Sequence, residues 1–402
     1  IVAGPTSAYT LAQYGAEVIR SESPEDESQN PALPALLIEI NQGKRSILTD
    51  EKTAPGKEVL NRLISWADVV LHNIVDDTAK RMGITHADLQ LINPGVVDCQ
   101  LTCWGGTYRN GWEQRLGFDV SATATGGIMV QYGSKKWPQY HTSTSLGDTT
   151  GGLGLAFSAL LGVYQKRKTG YAGAARTSLV RMANFYQLPY MIAEYGCSDW
   201  GDAHGHFSIG ESWWQRLYAC RDKWIYVGAR EDQKGVLAEI ISEGKKIEEQ
   251  LLEEEFAKFD SFYWLKKLDS VDIACHSVLS GTDIAETVTR HVDNNEANET
   301  AKESREVVCW DHHPSGIPIN LLVPNWVRIG EDHTYKRLST APRLGQHTRE
   351  ILQELGYTED EIDELIRIRA AMDYLPALGK GAYLFDPEKI RQQFGSGEGE
   401  HG

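Results

Sequence analysis

Apolar positions in the first hundred residues fall into two alternating rhythms. Helical spacing covers Thr6 to Gln13, Lys57 to Trp66 and His86 to Ile92, while compact apolar runs at Glu17 to Arg20, Asp68 to His72 and Val96 to Leu101 read as strands. This βα alternation predicts a parallel sheet covered by helices on both faces, an α/β fold. The polar, proline-containing stretch from Ser21 to Ile40 has neither period and reads as a loop. Gly152 to Gln165 is apolar almost all round, so a buried helix is expected, ended by Lys166, Arg167, Lys168, Thr169 and Gly170. From about His206 the pattern changes. Leu217 to Cys220 and Trp224 to Gly228 flank Arg221-Asp222-Lys223 as a hairpin, and the charged helix-forming run KKIEEQLLEEEFAKF follows, which suggests a separate α+β domain. Two more helices are expected at Gln346 to Leu355 and Glu359 to Ala370, the second opened by the capping-box pair Thr358 and Glu361. The closing GSGEGEHG has the composition of a disordered tail.

A chain of 402 residues with 41% hydrophobic content exceeds the usual size of one domain, so two are the default. The formal net charge of −16 argues against nucleic acid and anionic membrane surfaces as partners, and any anionic ligand needs a local basic cluster. Six cysteines (Cys99, Cys103, Cys197, Cys220, Cys275, Cys309) show neither C-x-x-C spacing nor disulfide-scaffold density, which points to a reducing, cytoplasmic setting. The pairs His204/His206 and His312/His313 lack a completing Cys or carboxylate set, so no metal site is expected. No 18-residue uncharged span occurs, which argues against a transmembrane helix. The chain opens on Ile1 within what reads as a strand-to-helix turn, so a first strand is expected to be missing and no organelle address is readable.

Chemistry concentrates between Ser145 and Leu179, in SLGDTTGGLGLAFSALLGVYQKRKTGYAGAARTSL. Asp148 stands just before the small-residue helix, where unpaired N–H groups and the helix dipole favour an anion, so the carboxylate is expected to be ionised and able to act as a nucleophile. An Asp in that place is more commonly an N-cap. Gly151 and Gly152 leave room for a substrate, and nearby backbone N–H groups are candidate oxyanion donors. A nicotinamide enzyme is disfavoured: the turn AGPTSAYTLAQYG lacks G-x-G-x-x-G.

The Asp148 segment resembles CoA-transferase family III, in which an Asp, a glycine-containing helix, a charged Thr-Gly turn and a strand like ARTSL carry the catalytic carboxylate. Further blocks match in the same order: Ala3-Gly4-Pro5 with Gly15-Ala16-Glu17-Val18-Ile19, then NQGKRS from Asn41 to Ser46 and ADVVLHN from Ala67 to Asn73. Asn93-Pro94-Gly95, Gly117-Phe118-Asp119 and PRLGQHT from Pro342 to Thr348 follow. The resemblance implies a Rossmann-like large domain with a parallel sheet, built from residues 1–205 and 331–402, a small α+β domain at 206–330, and an interlocked homodimer. It also implies an enzyme that moves CoA from an acyl-CoA to a free carboxylic acid through an aspartyl-CoA thioester on Asp148, with coenzyme A as the acyl-CoA substrate and no metal or redox cofactor.

The family's CoA groove maps onto Lys44 and Arg45 in the turn, and onto Asn73 and Arg81 in HNIVDDTAKRMG. Arginine's fork and lysine's point charge suit the phosphates of 3′-phospho-ADP, although a tight turn alone also accounts for Lys44 and Arg45. Glu231 resembles a second acidic residue of the racemase branch, or is a surface residue after a hairpin. Two alternatives to transfer stand beside it: a 2-methylacyl-CoA racemase and a catalytically silent CoA-binding relative. Phe118 occupies the racemase histidine position, and a phenyl ring accepts no proton. The glycine-rich gating run of formyl-CoA transferases is missing near Gly228 to Gln233.

Overall fold

Along one central strand Val97, Cys99 and Leu101 alternate with Asp98, Gln100 and Thr102, and both sets are buried. A strand covered on two faces is what a parallel sheet inside a layered α/β fold requires. A computed structural model of the chain describes residues 2–24, 39–105, 112, 115–140, 145–188, 209–242, 249–284, 286, 307–310, 319–322 and 338–373. The chain divides into two units, one formed by residues 1–130, 140–200 and 304–402, the other by 131–139 and 201–303.

In the first unit, helix α1 (Ala3–Gln13) leads to β1 (Val18–Glu22), which pairs in parallel with β2 (Lys44–Thr49). Helix α2 (Ala54–Trp66) is capped by Thr53, whose side chain accepts from Gly56 N–H, with Pro55 in the first turn. Then follow β3 (Val69–His72), α3 (Asp76–Met82), α4 (His86–Ile92) and β4 (Val97–Thr102). The short helices α5 (Asp119–Thr125) and α6 (Ile128–Tyr132) precede the long α7 (Leu146–Thr169), β5 (Ala174–Ser178) and α8 (Leu179–Tyr186). β3, β4 and β5 form a parallel sheet, with Val70 opposite Asp98 and Asp98 opposite Ala174. Its apolar face, Val97, Cys99 and Leu101, packs with Ala3 of α1, Leu155 and Ala159 of α7, and Leu179.

The second unit holds an antiparallel sheet of β6 (Gly210–Ser212), β7 (Gln215–Ala219), β8 (Trp224–Gly228) and β9 (Ala274–Ser277). β7 and β8 make the expected hairpin, with Ala219 opposite Trp224. Helices α9 (Lys234–Ser242), α10 (Glu249–Ala257) and α11 (Ser261–Asp269) bring Leu237, Leu252, Phe256, Trp264 and Leu268 onto Tyr218, Ile225 and Val227.

β10 (Val307–Trp310) and β11 (Ile319–Leu322) form a separate antiparallel pair. Near the C-terminus, α12 (Thr348–Glu354) and α13 (Glu359–Arg367) bury Ile351, Leu352, Ile362 and Leu365 against Ile47 and Val59, and β12 (Ala371–Met372) joins β2 antiparallel. The Thr358–Glu361 capping box is present.

Several boundaries differ from the sequence reading. The long helix begins at Leu146 rather than Gly152: Thr149 N–H closes on Ser145 C=O at 2.8 Å, so the small residues are already helical. Helix α13 stops at Arg367 instead of Ala370, because Arg369 turns to φ +61° and Ala371 enters β12. The predicted loop falls outside the described residues over 25–38, as do His204, His206, His312, His313, Cys197 and the GSGEGEHG tail. By length and composition alone, α7 is apolar enough to cross a membrane. Its Leu155, Ala156, Ala159 and Gly162 are buried within the first unit.

Candidate active site

The chain places α1, β3, β4, α5 and α7 so that the start of α1, the ends of β3 and β4 and the start of α7 belong to one side of a parallel sheet. In open α/β sheets ligands bind outside the carboxyl ends of the strands. Two close approaches lock α7 there. A Cβ on Gly152 would lie 2.7 Å from Ala3 C=O and from Thr6 Cβ, and one on Gly151 would lie 2.6 Å from Leu179 Cδ2. These glycines are buried packing positions. Because α7 starts at Leu146, they lie beyond its first four N–H groups, inside the helical ladder. Both glycines therefore serve close packing, and the unpaired N–H groups belong to the residues before them.

Asp148 is the third residue of α7, inside the first turn rather than ahead of it. Its backbone N–H donates to Asp119 Oδ1 at 3.0 Å. Burial pushes its carboxyl up to about 6, and the neighbouring Asp119 carboxylate adds to the rise. Burial thus outweighs the stabilisation expected from the helix terminus, yet the group is mostly anionic at neutral pH. Cys103, just past β4, has its thiol raised to about 12 by burial and by Asp148 and Asp119, so it is a neutral neighbour of the pair. Its Sγ lies 3.9 Å from Phe118 C=O. The Phe118 ring is 65% exposed.

Asn73 follows β3 and faces the first turn of α1, with its Cγ 3.8 Å from where a Gly4 Cβ would stand. Arg81 lies exposed in the last turn of α3, where its Nη2 donates to Thr78 Oγ1 at 2.7 Å. The other two candidate CoA ligands are engaged elsewhere. Lys44 is only 2% exposed, and its Nζ donates to Pro5 C=O at 2.8 Å and Asn41 Oδ1 at 2.9 Å. Burial lowers its ammonium well below the usual lysine range. Arg45 is held by Glu350 at 2.9 Å, by Glu354 at 2.7 Å and by Glu17, a fork already filled with carboxylates. Lys44 anchors α1 to β2, and Arg45 ties β2 to α12. Glu231 lies in the second unit, in the turn Glu231–Gln233 after β8, where it pairs with Lys234.

Sequence reasoning passed over two groups. Asp119 stands inside the Gly117-Phe118-Asp119 block, beside the phenyl ring at the racemase histidine position. The other is a polar cluster on the second face of the sheet. There the fully buried Asp98 meets Arg176 Nη2 at 2.5 Å, with His72 Nε2 at 3.4 Å and His86 Nδ1 at 3.5 Å. Burial raises Asp98, but contacts from His72 and Arg176 and the charge of Arg176 leave it below the usual carboxylate range. The short Arg176 contact is the stronger of these, since the histidine distances are long for hydrogen bonds. Only the pairing of strands reveals this cluster, and it stands at the opposite end of β4 from Cys103.

The model of CoA-transferase family III matches residues 1–348. A CoA-transferase/lyase DddD from Marinomonas sp. (strain MWYL1) is 28% identical over 377 residues; these are 92% of this chain, which spans 44% of that relative's length. Formyl-CoA:oxalate CoA-transferase from Rhodopseudomonas palustris (strain TIE-1) is 27% identical over 414 residues, covering 91% of this chain and 93% of that one. A solved CAIB/BAIF family protein from Brucella suis superposes with a TM-score of 0.72 at 23% identity, over 88% of this chain and 96% of its own, a likeness of fold. With the family model spanning most of its length, the chain belongs to CoA-transferase family III, as an enzyme of that family.

Proposed function

We propose that this enzyme moves CoA from an acyl-CoA to a free carboxylic acid, with Asp148 as the covalent nucleophile. One observation carries the reading: a half-buried carboxylate in the first turn of a 24-residue helix, held near pH 6 and beside the carboxyl ends of a parallel sheet. Asp148 attacks the thioester carbon, the C–S bond breaks, and CoA thiolate leaves with the electron pair, giving a mixed anhydride. The thiolate then attacks the Asp148 carbonyl and releases the donor acid, leaving an aspartyl-CoA thioester. The acceptor carboxylate reverses both steps. No proton crosses in either half, so a carboxylate that is ionised but not strongly stabilised suits the work. Asn73 and Arg81 are the residues left to hold CoA, Arg81 by a charge-assisted contact to phosphate.

A homodimer completes the proposal. Phe157, Leu160, Leu161 and Tyr164 are 61%, 57%, 50% and 62% exposed, and their spacing sets them along one side of α7. A contiguous apolar stripe of this kind marks a protein interface.

A donor and acceptor screen read by mass spectrometry tests the reaction, with Asp148→Ala as its control. Transfer that disappears in Asp148→Ala but leaves CoA binding intact supports the proposal. Full activity in that variant contradicts it. Chiral analysis of the product separates transfer from racemisation.

A further inference from the structure

Asp119 opens α5 directly after the exposed Phe118, and its Oδ1 accepts the Asp148 backbone N–H at 3.0 Å. A Cβ on Gly147 would stand 3.0 Å from the same oxygen, so the glycine leaves the gap through which this carboxylate reaches α7. Any neutral oxygen acceptor would satisfy that N–H. The chain instead sets a second carboxylate against a half-buried first one, an arrangement that disfavours the ionisation of Asp148. We propose that Asp119 is a positioning residue for the nucleophile, fixing the first turn of α7 and placing a like charge beside Asp148 that covalent catalysis relieves.

The inference rests on the reading of Asp148 as nucleophile. When an Asp148 oxygen forms its bond to the thioester carbon and the C–S bond breaks, the negative charge moves from Asp148 to the departing CoA sulfur. The anhydride and the aspartyl thioester are both neutral at Asp148. Repulsion from Asp119 thus acts on the free enzyme and falls away in both covalent states, which favours their formation. Among the described residues the titratable groups that face Asp148 are Asp119 and Cys103, and only Asp119 changes in the variants below.

Asp119→Asn and Asp119→Ser each keep an oxygen for the Asp148 N–H while removing the charge. Isotope-edited infrared titration of carbon-13 aspartate, with the Asp148 band identified by its loss in Asp148→Asn, follows the carboxyl without turnover. The expected result is a downward move of about one pH unit in the Asp148 titration of either folded variant. The acid limb of the transfer pH profile moves with it. The fraction of enzyme trapped by hydroxylamine as a covalent adduct falls roughly tenfold, the equivalent of one unit. An Asp148 titration unmoved to within about 0.2 unit in both variants, with native thermal unfolding, overturns the inference. Failure of the wild type to form any adduct overturns the nucleophile reading instead, and the infrared shift still decides whether the two carboxylates are coupled.

Discussion

Lys44 and Arg45 are adjacent in the chain and opposite in fate, because β2 sends one side chain inward and the other out. Replacing Lys44 by Met removes the donor to Pro5 C=O and Asn41 Oδ1, and losing buried hydrogen bonds to a charged group costs about 1.5–3 kcal/mol. Arg45→Ala loses a network whose glutamates are about half exposed, worth about 1 kcal/mol or less. Urea unfolding is expected to rank the two in that order, while calorimetry finds CoA affinity in both within about twofold of the native enzyme. A tenfold loss of affinity in folded Arg45→Ala would support a phosphate role instead. From sequence the NQGKRS turn was legible as a motif, but basic residues in a motif carry no sign of which face they take. Asp148 stands out in the sequence as one carboxylate among small residues before an apolar run. Its partner Asp119 lies 29 positions away and needed the fold to bring it near.

At the scale of elements, the glycines of α7 decide how closely helices pack. Gly→Ala inside a helix ordinarily favours it by about 1 kcal/mol. At Gly152 the new methyl meets Ala3 C=O and Thr6 at 2.7 Å, and overpacking of that kind costs about 1–3 kcal/mol. Gly152→Ala is therefore expected to lower the thermal midpoint, and a raised midpoint would show that α1 yields freely. β4 supplies a pH prediction. The Asp98 carboxyl sits lower in the folded chain than in the unfolded one, so its contribution is present above about pH 4 and fades as pH falls through the folded value. Asp98→Asn removes the charged partner of Arg176, which keeps its backbone acceptors, and is expected to cost about 2–4 kcal/mol at pH 6. Urea melts should show the gap to native closing toward pH 3; a gap independent of pH contradicts the assignment. The alternating pattern announced both the helices and the strands, but not the strand partners that assemble this cluster.

For the whole molecule, the change of pattern near His206 was readable because a hairpin broke the βα alternation. The return of the C-terminus to β2 was not readable from periodicity, since pairing of Ala371 with Thr49 is a long-range fact. The exposed side of α7 predicts a homodimer that persists on dilution, and the interlocked arrangement proposed for its chains predicts that tagged and untagged subunits do not exchange until they unfold. Mass photometry over a dilution series checks the first. Subunit exchange within minutes under native conditions would return the contact to an ordinary surface. The central claim, that one carboxylate carries the reaction covalently, has its own direct assay. Enzyme incubated with a reactive acyl-CoA is quenched, digested and mapped by mass spectrometry, with hydroxylamine treatment in parallel. The account predicts a hydroxylamine-labile CoA or acyl adduct on the peptide holding Asp148, absent in Asp148→Asn. Turnover with no adduct on that peptide, or with the adduct on another residue, would contradict it.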